Sequence, residues 1–96
     1  MTETPIFPPA RITLWRSPTL TAALTKFDVF IDGKKMGRIG NNERVSYEVP
    51  PGDHTVYLVV DDYPSKKLTL VLHPGENVRL TCWSKAFGLG VVIGFE

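Results

Sequence analysis

Side chains able to do acid–base, nucleophilic or metal chemistry are few in this sequence, and they are scattered. His54 and His73 are the only imidazoles, each stands beside a Pro/Gly turn, and neither has a second ligand at a metal-binding spacing. Both are expected at the surface, flanking their turns. Cys82 is the single thiol and alternates in phase with Val78 and Leu80, which points to burial as a small apolar group rather than to a nucleophile. Asp61 and Asp62 are adjacent; neighbouring strand residues point to opposite faces, so the two carboxylates are expected to solvate a strand end rather than share a proton or a sugar ring. The run Gly88-Leu89-Gly90-Val91-Val92-Ile93-Gly94 superficially resembles a phosphate loop, yet no helix and second strand follow it as a dinucleotide site requires. With no Ser-His-Asp set and no Walker motif either, the expectation is a protein without catalytic residues, metal or cofactor.

Binding chemistry has better candidates. Trp15, Phe30, Tyr57 and Trp83 oppose the apolar positions of their runs, with Arg16, Arg79 and Lys85 nearby. If two or three of these rings share one sheet, they form an aromatic platform for a partner protein, sugar rings or bases. Scattered over two sheets, or covered by the connection Ser17–Thr25 and the C-terminal segment, they are packing instead. Ala86–Phe95 is ten residues without a charge, with Gly90 and Gly94 at the small-xxx-small spacing of touching membrane helices. As a helix it would be roughly 15 Å long, half the thickness of a bilayer core. It is either a final β-strand, with Val91 and Ile93 in phase, or the beginning of a membrane anchor.

The elements that must position these residues read as strands. Ninety-six residues make one domain. The 11 Lys+Arg against 10 Asp+Glu leave a net charge of +1, so no global field attracts nucleic acid or an anionic bilayer. β-branched and aromatic residues abound while Ala is scarce, which favours strands over helices. Turn signals recur at Ser17-Pro18, Asp32-Gly33, Gly40-Asn41-Asn42, Pro50-Pro51-Gly52-Asp53, Tyr63-Pro64-Ser65 and Pro74-Gly75-Glu76. Between them, period-2 alternation assigns one face to Ile12, Leu14, Phe27, Val29, Ile31, Val45, Tyr47, Val49, Val56, Leu58, Val60, Leu68, Leu70, Leu72, Val78, Leu80 and Cys82. Two sheets closing these faces on each other is the simplest way to bury them.

Asp32-Gly33 is the strongest hairpin signal. A two-residue turn there would send Lys34 and Arg38 to the core side, whereas a four-residue loop would send Met36; the apolar pattern favours the longer loop. Ser17–Thr25 reads as a long connection with at most one helical turn, Ser17 capping and Pro18 in first position.

The series Val29 to Gly37, containing Asp32-Gly33-Lys34-Lys35-Met36-Gly37, followed by Val49-Pro50-Pro51-Gly52-Asp53-His54 and then Pro74-Gly75-Glu76, resembles the PEGA-like group of small bacterial β-sandwich domains. It is similar in particular to an uncharacterised bacterial family in which such a domain precedes an apolar C-terminal segment. The resemblance covers about residues 11 to 85 and implies an all-β, antiparallel, two-sheet sandwich of about seven strands, immunoglobulin- or PEGA-like, preceded by a flexible tail at 1–10 and followed by the apolar stretch 86–96. Within it, Asp32, Gly33, Gly37, Pro51, Gly52, His54, Pro74 and Gly75 are turn residues. The expected function is a non-catalytic protein-interaction module, its partner a protein or a membrane surface. The rival is a carbohydrate or single-stranded nucleic acid binder using the same rings. Either would be cytoplasmic, membrane-associated if the C-terminal segment begins an anchor.

Overall fold

Alternating apolar residues punctuated by turns produce nine strands in a computed structural model of the chain, which describes residues 8–19, 24–85 and 91–96. They are β1 (Ala10–Arg16), β2 (Phe27–Ile31), β3 (Lys34–Ile39), β4 (Arg44–Val49), β5 (Gly52–Val60), β6 (Tyr63–Pro64), β7 (Leu68–Leu72), β8 (Asn77–Ser84) and β9 (Val91–Phe95). No helix occurs among the described residues. Sheet A has the order β4-β1-β8-β9 and sheet B the order β3-β2-β5, with β6 and β7 both on the far side of β5.

The inward positions of both sheets meet in one apolar cluster. Ile12, Leu14, Leu80, Cys82, Val91 and Ile93 from sheet A pack with Phe27, Val29, Ile31, Ile39, Val56, Leu58, Leu70 and Leu72 from sheet B. Val45, Tyr47, Val60, Leu68 and Val78, expected in this core, are partly buried at its margin, and Met36 joins them there. Burying one Leu or Val contributes about 1.5 to 3 kcal/mol, so this shared interior is what holds the sheets together.

Three expectations need correction. The sheets are not wholly antiparallel: β1 lies between β4 and β8 and runs parallel to β8, with Leu14 opposite Leu80. A parallel neighbour cannot be joined by a tight turn, and here residues 17–76 lie between the two strands.

The Asp32-Gly33 connection is the short one. Both residues have positive φ, 53° and 79°, and Ile31 pairs with Lys34, as in the two-residue hairpin turn whose twist matches its strands. Arg38 nevertheless faces outward, because the register slips between Val29 and Phe30 and makes Met36 an extra, bulged residue, whereas Lys34, opposite Ile31, stays exposed at the end of the hairpin. The bulge returns Ile39 to the core opposite Phe27. It also sets Gly37 under the ring of Tyr47, where a Cβ would stand 2.8 Å from the phenol oxygen.

Tyr63-Pro64 is strand rather than turn. The reversal occurs one step earlier at Asp61-Asp62, both left-handed with φ of 49° and 68°. These carboxylates therefore sit on a hairpin tip, not on opposite faces of a strand end. The Ser65 hydroxyl accepts from the Leu58 N–H, and the Ser65 N–H donates to the Leu58 carbonyl, which splices β6 to β7 along β5.

Most of the expected tail (1–7), part of the Ser17–Thr25 connection (20–23) and the first half of the apolar segment (86–90) lie outside the described residues. Ala10 belongs to β1 and is fully buried opposite Val49, which starts the folded region one residue before the expected Arg11. From Val91 the apolar segment is a strand, with Val91 and Ile93 facing inward as their phase requires.

Candidate functional site

His54 is not a surface residue. It follows the phase of Val56 and Leu58 inward, and its side chain is 8% exposed. Nδ1 stands 2.6 Å from Asp32 Oδ2, and Nε2 stands 2.6 Å from the Pro50 carbonyl oxygen. The carbonyl can only accept, so Nε2 carries a proton. On the other side the Asp32 carboxyl is held below its ordinary pKa by the His54 hydrogen bond and then by the Thr55 N–H, which donates to Oδ1 at 2.8 Å. An ionised carboxylate also only accepts, so Nδ1 donates as well and the ring is an imidazolium. Burial lowers the pKa of His54, but the Pro50 carbonyl, the Asp32 hydrogen bond and the charges of Asp32 and Asp53 outweigh it and raise the value. The group fastens the β2–β3 turn, through Asp32, to the β4–β5 turn, through Pro50. His73 is exposed on its turn, as expected, with its N–H donating to Glu76.

Arg16 is also misplaced by the sequence reading, which set it beside the outward rings. Strand phase puts it with Ile12 and Leu14, and it is 0% exposed. Its guanidinium carbon lies 3.6 Å from the centroid of the Phe27 ring, and Nη1 donates to the carbonyls of Thr25 and Ile39. A cation from β1 is thus stacked on β2 and hydrogen-bonded to the end of β3, tying sheet A to sheet B. Burial lowers its pKa, yet a guanidinium keeps its proton throughout the working range. Beneath it, Cys82 is fully buried and its thiol is pushed up to about 12 by burial, so it is no nucleophile at neutral pH.

The four aromatic candidates divide into two pairs. Phe30 and Tyr57 are direct cross-strand neighbours on the outer face of sheet B, stacked with centroids 5.1 Å apart and planes 9° from parallel. Lys67 lies over Tyr57 at 5.3 Å, and Asp28 on the same face pairs with Lys35 and Arg38 at 3.3 and 3.2 Å. Trp15 and Trp83 occupy the outer face of sheet A on adjacent strands, Trp15 level with Thr81, one outward position short of Trp83. Trp15 is half-buried and its indole N–H donates to Asn42 at 3.3 Å. Trp83 is 37% exposed and sits opposite Val92 of β9. Arg79 is exposed on the same face, level with Thr13.

The sequence left β9 open between a final strand and the start of an anchor, and what it did not show is the place of that strand in the sheet. It ends sheet A with no described strand beyond it, and it carries no charge from Val91 to Phe95. Phe95 is 61% exposed although its phase is inward. The signal available was the uncharged run itself, once taken as a strand at a sheet margin. Elsewhere a shallow open crevice of about 400 Å³ is lined by Pro9, Glu48, Val49, Pro50 and Pro51. It offers one carboxylate among apolar walls, and no acid, base and nucleophile converge on it. Among the described residues no group of three His, Cys, Asp or Glu side chains is placed to hold a metal ion.

No protein-family model and no curated protein sequence matches the chain. Solved structures do match in shape. The N-terminal domain of AlgF from P. aeruginosa is similar with a TM-score of 0.55 at 16% identity, over 97% of this chain and 99% of that one. A protein from Eubacterium rectale, solved by NMR, is similar with a TM-score of 0.56 at 8% identity, over 91% of this chain and 87% of that one. At such identities the likeness is one of fold.

Proposed function

We propose that this chain is a non-catalytic interaction module, a two-sheet sandwich of the immunoglobulin- or PEGA-like kind, that docks a protein partner on sheet A at its β9 margin. The observation that carries this reading is the exposure of Trp83 and half-exposure of Val92 side by side on the outer face, with Phe95 exposed at the end of β9 and no described strand beyond it. Large apolar side chains in the open, next to unpaired backbone, are what a protein partner can cover. The absence of any strong net field suits a protein partner better than a polyanion. Cys82, buried and reduced, suits a cytoplasmic setting. The test is quantitative capture by the immobilised chain, comparing Trp83→Ala with Tyr57→Ala. The expected result is that only Trp83→Ala loses binding while both variants keep a cooperative melt, Tyr57→Ala at a somewhat lower temperature because it gives up the stack on Phe30. Equal binding by Trp83→Ala contradicts the reading.

A second reading is favoured by the Phe30–Tyr57 stack with Lys67 over one of its rings. That arrangement is able to hold a sugar ring or an unpaired base, the ring faces giving stacking and the ammonium a contact to an acidic group. Titrating the chain with oligosaccharides and oligonucleotides at low salt, and following the tyrosine and tryptophan emission, separates the two. Flat traces remove this second reading.

A further inference from the structure

We propose that the free edge of β4 pairs with β4 of a second copy of this chain, antiparallel about Ser46, joining two four-stranded copies of sheet A into one continuous sheet. β4 is the margin of sheet A opposite β9, so this contact is independent of the docking reading above and leaves the β9 margin open. Hydrogen-bond phase decides which backbone groups of β4 are free. The Arg16 N–H donates to the Glu43 carbonyl at 2.9 Å, so Arg16 and Glu43 end the antiparallel β1–β4 ladder as a hydrogen-bonded pair. Such pairs alternate, so Val45, Tyr47 and Val49 turn their backbone groups toward β1. The other side of β1 agrees, because the N–H groups of Arg11 and Ser17 donate to Glu76 and Cys82, toward β8. The N–H and C=O groups of Arg44, Ser46 and Glu48 therefore point away from β1, where no described strand receives them.

A two-fold axis through Ser46 sets these three residues against their own copies: Ser46 on Ser46, and Arg44 on Glu48 twice. Each is an edge-directed pair that exchanges both backbone bonds, so the register is complete along the strand. The side chains then fall into rows across the outer face. Glu48 already holds Arg11 of its own chain at 2.9 Å, and Arg44 of the second copy comes up on its other side, so each carboxylate stands between two cations. The Thr13 and Ser46 hydroxyls, 2.8 Å apart, continue into the same pair of the second copy, a polar row without bulk at the axis. On the inner face Val45 meets Tyr47 of the second copy. Both are only partly buried at the margin of the core, and the pairing covers them.

The palindrome of charge selects a second copy of the same chain. β4 carries one cation and one carboxylate, both exposed, both on the edge-directed phase and each two residues from the axis. An antiparallel copy therefore meets opposite charge at both ends, whereas a copy slipped by two residues loses both ion pairs. The other margins lack this pattern. β3 carries Lys34, Lys35 and Arg38 without a carboxylate, so its self-pairing opposes like charges, a device that keeps edges apart. β6, β7 and β9 carry no charge within the strand, so charge selects no register there.

Sedimentation of the full chain over a concentration series, with amide exchange by NMR at low and high concentration, tests the pairing. The mass is expected to rise from monomer toward dimer. The amides of Arg44, Ser46 and Glu48 should slow as it rises, while those of Val45 and Tyr47, bonded to β1, are slow throughout. Ser46→Pro removes an edge-directed N–H that β1 does not use and should weaken association about tenfold or more. Arg44→Glu and Glu48→Lys should each weaken it about tenfold, because each turns both cross-strand ion pairs into repulsions. Mixed in equal amounts, those two variants should dimerise with each other like the parent, a rescue that a folding defect cannot produce. A monomer at every concentration, a dimer whose slowed amides lie elsewhere, or a mixture that associates as weakly as its components overturns the proposal. None of these outcomes decides the β9 reading, which is tested separately by capture through Trp83.

Discussion

Sheets A and B are built by the same alternation, yet their outer faces end in different conditions. At the β2–β5 centre of sheet B the outward groups satisfy one another, since Phe30 stacks on Tyr57, Lys67 covers Tyr57, and Asp28 holds Lys35 and Arg38, while Tyr63 and Val71 at its far margin stay 73% and 64% exposed. On sheet A, Trp15 is fixed by Asn42 and Arg11 by Glu48 at 2.9 Å, but the β8–β9 side leaves Trp83, Val92 and Phe95 without such partners among the described contacts. Alternation decides which residues face outward. Cross-strand register decides whether they find each other, and the proposal that the β9 margin binds rests on that difference.

The comparison can be broken most severely by removing what the two sheets share. Arg16→Ala should cost about 3 to 5 kcal/mol in urea unfolding, because the carbonyls of Thr25 and Ile39 and the face of Phe27 lose a buried cation at once. Against a typical total of about 5 to 15 kcal/mol, that brings the domain near unfolding. A loss below about 1 kcal/mol would mean that Arg16 does not join the sheets.

Next in size is the fastening at the end of sheet B. His54→Ala should cost about 2 kcal/mol at pH 6, moderated because Asp32 is half exposed and screened. The folded pKa of His54 is raised, so its contribution is complete below the ordinary value of about 6.5 and fades as pH climbs through the folded value. Asp32 is lowered, so its contribution is complete above about pH 4 and fades as pH falls through its folded value. The parent should thus melt highest between about pH 4 and 6.5 and lower at pH 9, and His54→Ala should flatten that alkaline decline. A parent melting equally at pH 6 and pH 9 contradicts the imidazolium.

Smaller effects sharpen the contrast on sheet A itself. Trp15→Ala should lower stability by about 1 kcal/mol or more, through the lost Asn42 bond and packing, whereas Trp83→Ala should stay within about 0.5 kcal/mol of the parent. Comparable losses at both positions would make Trp83 a packing residue. Smallest of all, Asp62→Gly should stabilise by about 0.5 to 1 kcal/mol in a thermal melt, since Gly adopts the left-handed φ of 68° without the strain of a Cβ. A destabilised variant would show that the carboxylate does more than turn the chain.

Much of this was legible because side chains alternate: the core residues of β1, β2, β5 and β8 follow from period 2 alone. The same rule, applied without regard to polarity, places Arg16 and His54 inside. Their chemistry argued for water, and two of the partners that override it, Phe27 and Asp32, come from other elements, while Pro50 stands four residues from His54 across its own turn. The bulge at Met36 was hidden because an extra residue breaks the count that alternation relies on. The division of the four rings between two sheets was hidden because strand order is set by long-range pairing, of which the parallel β1–β8 contact leaves no local trace. The place of β9 as the last described strand of sheet A was half legible, as an uncharged run whose two readings only topology could separate.

The central claim, that sheet A at β9 is the binding side and sheet B is not, is tested most directly by amide-resolved NMR of the full chain as its binding is driven by a captured partner. The account predicts shift changes centred on Trp83, Ser84 and Val91 to Glu96, with residues 28–38 and 55–59 unmoved. Changes centred on Phe30, Tyr57 and Lys67 instead would contradict it.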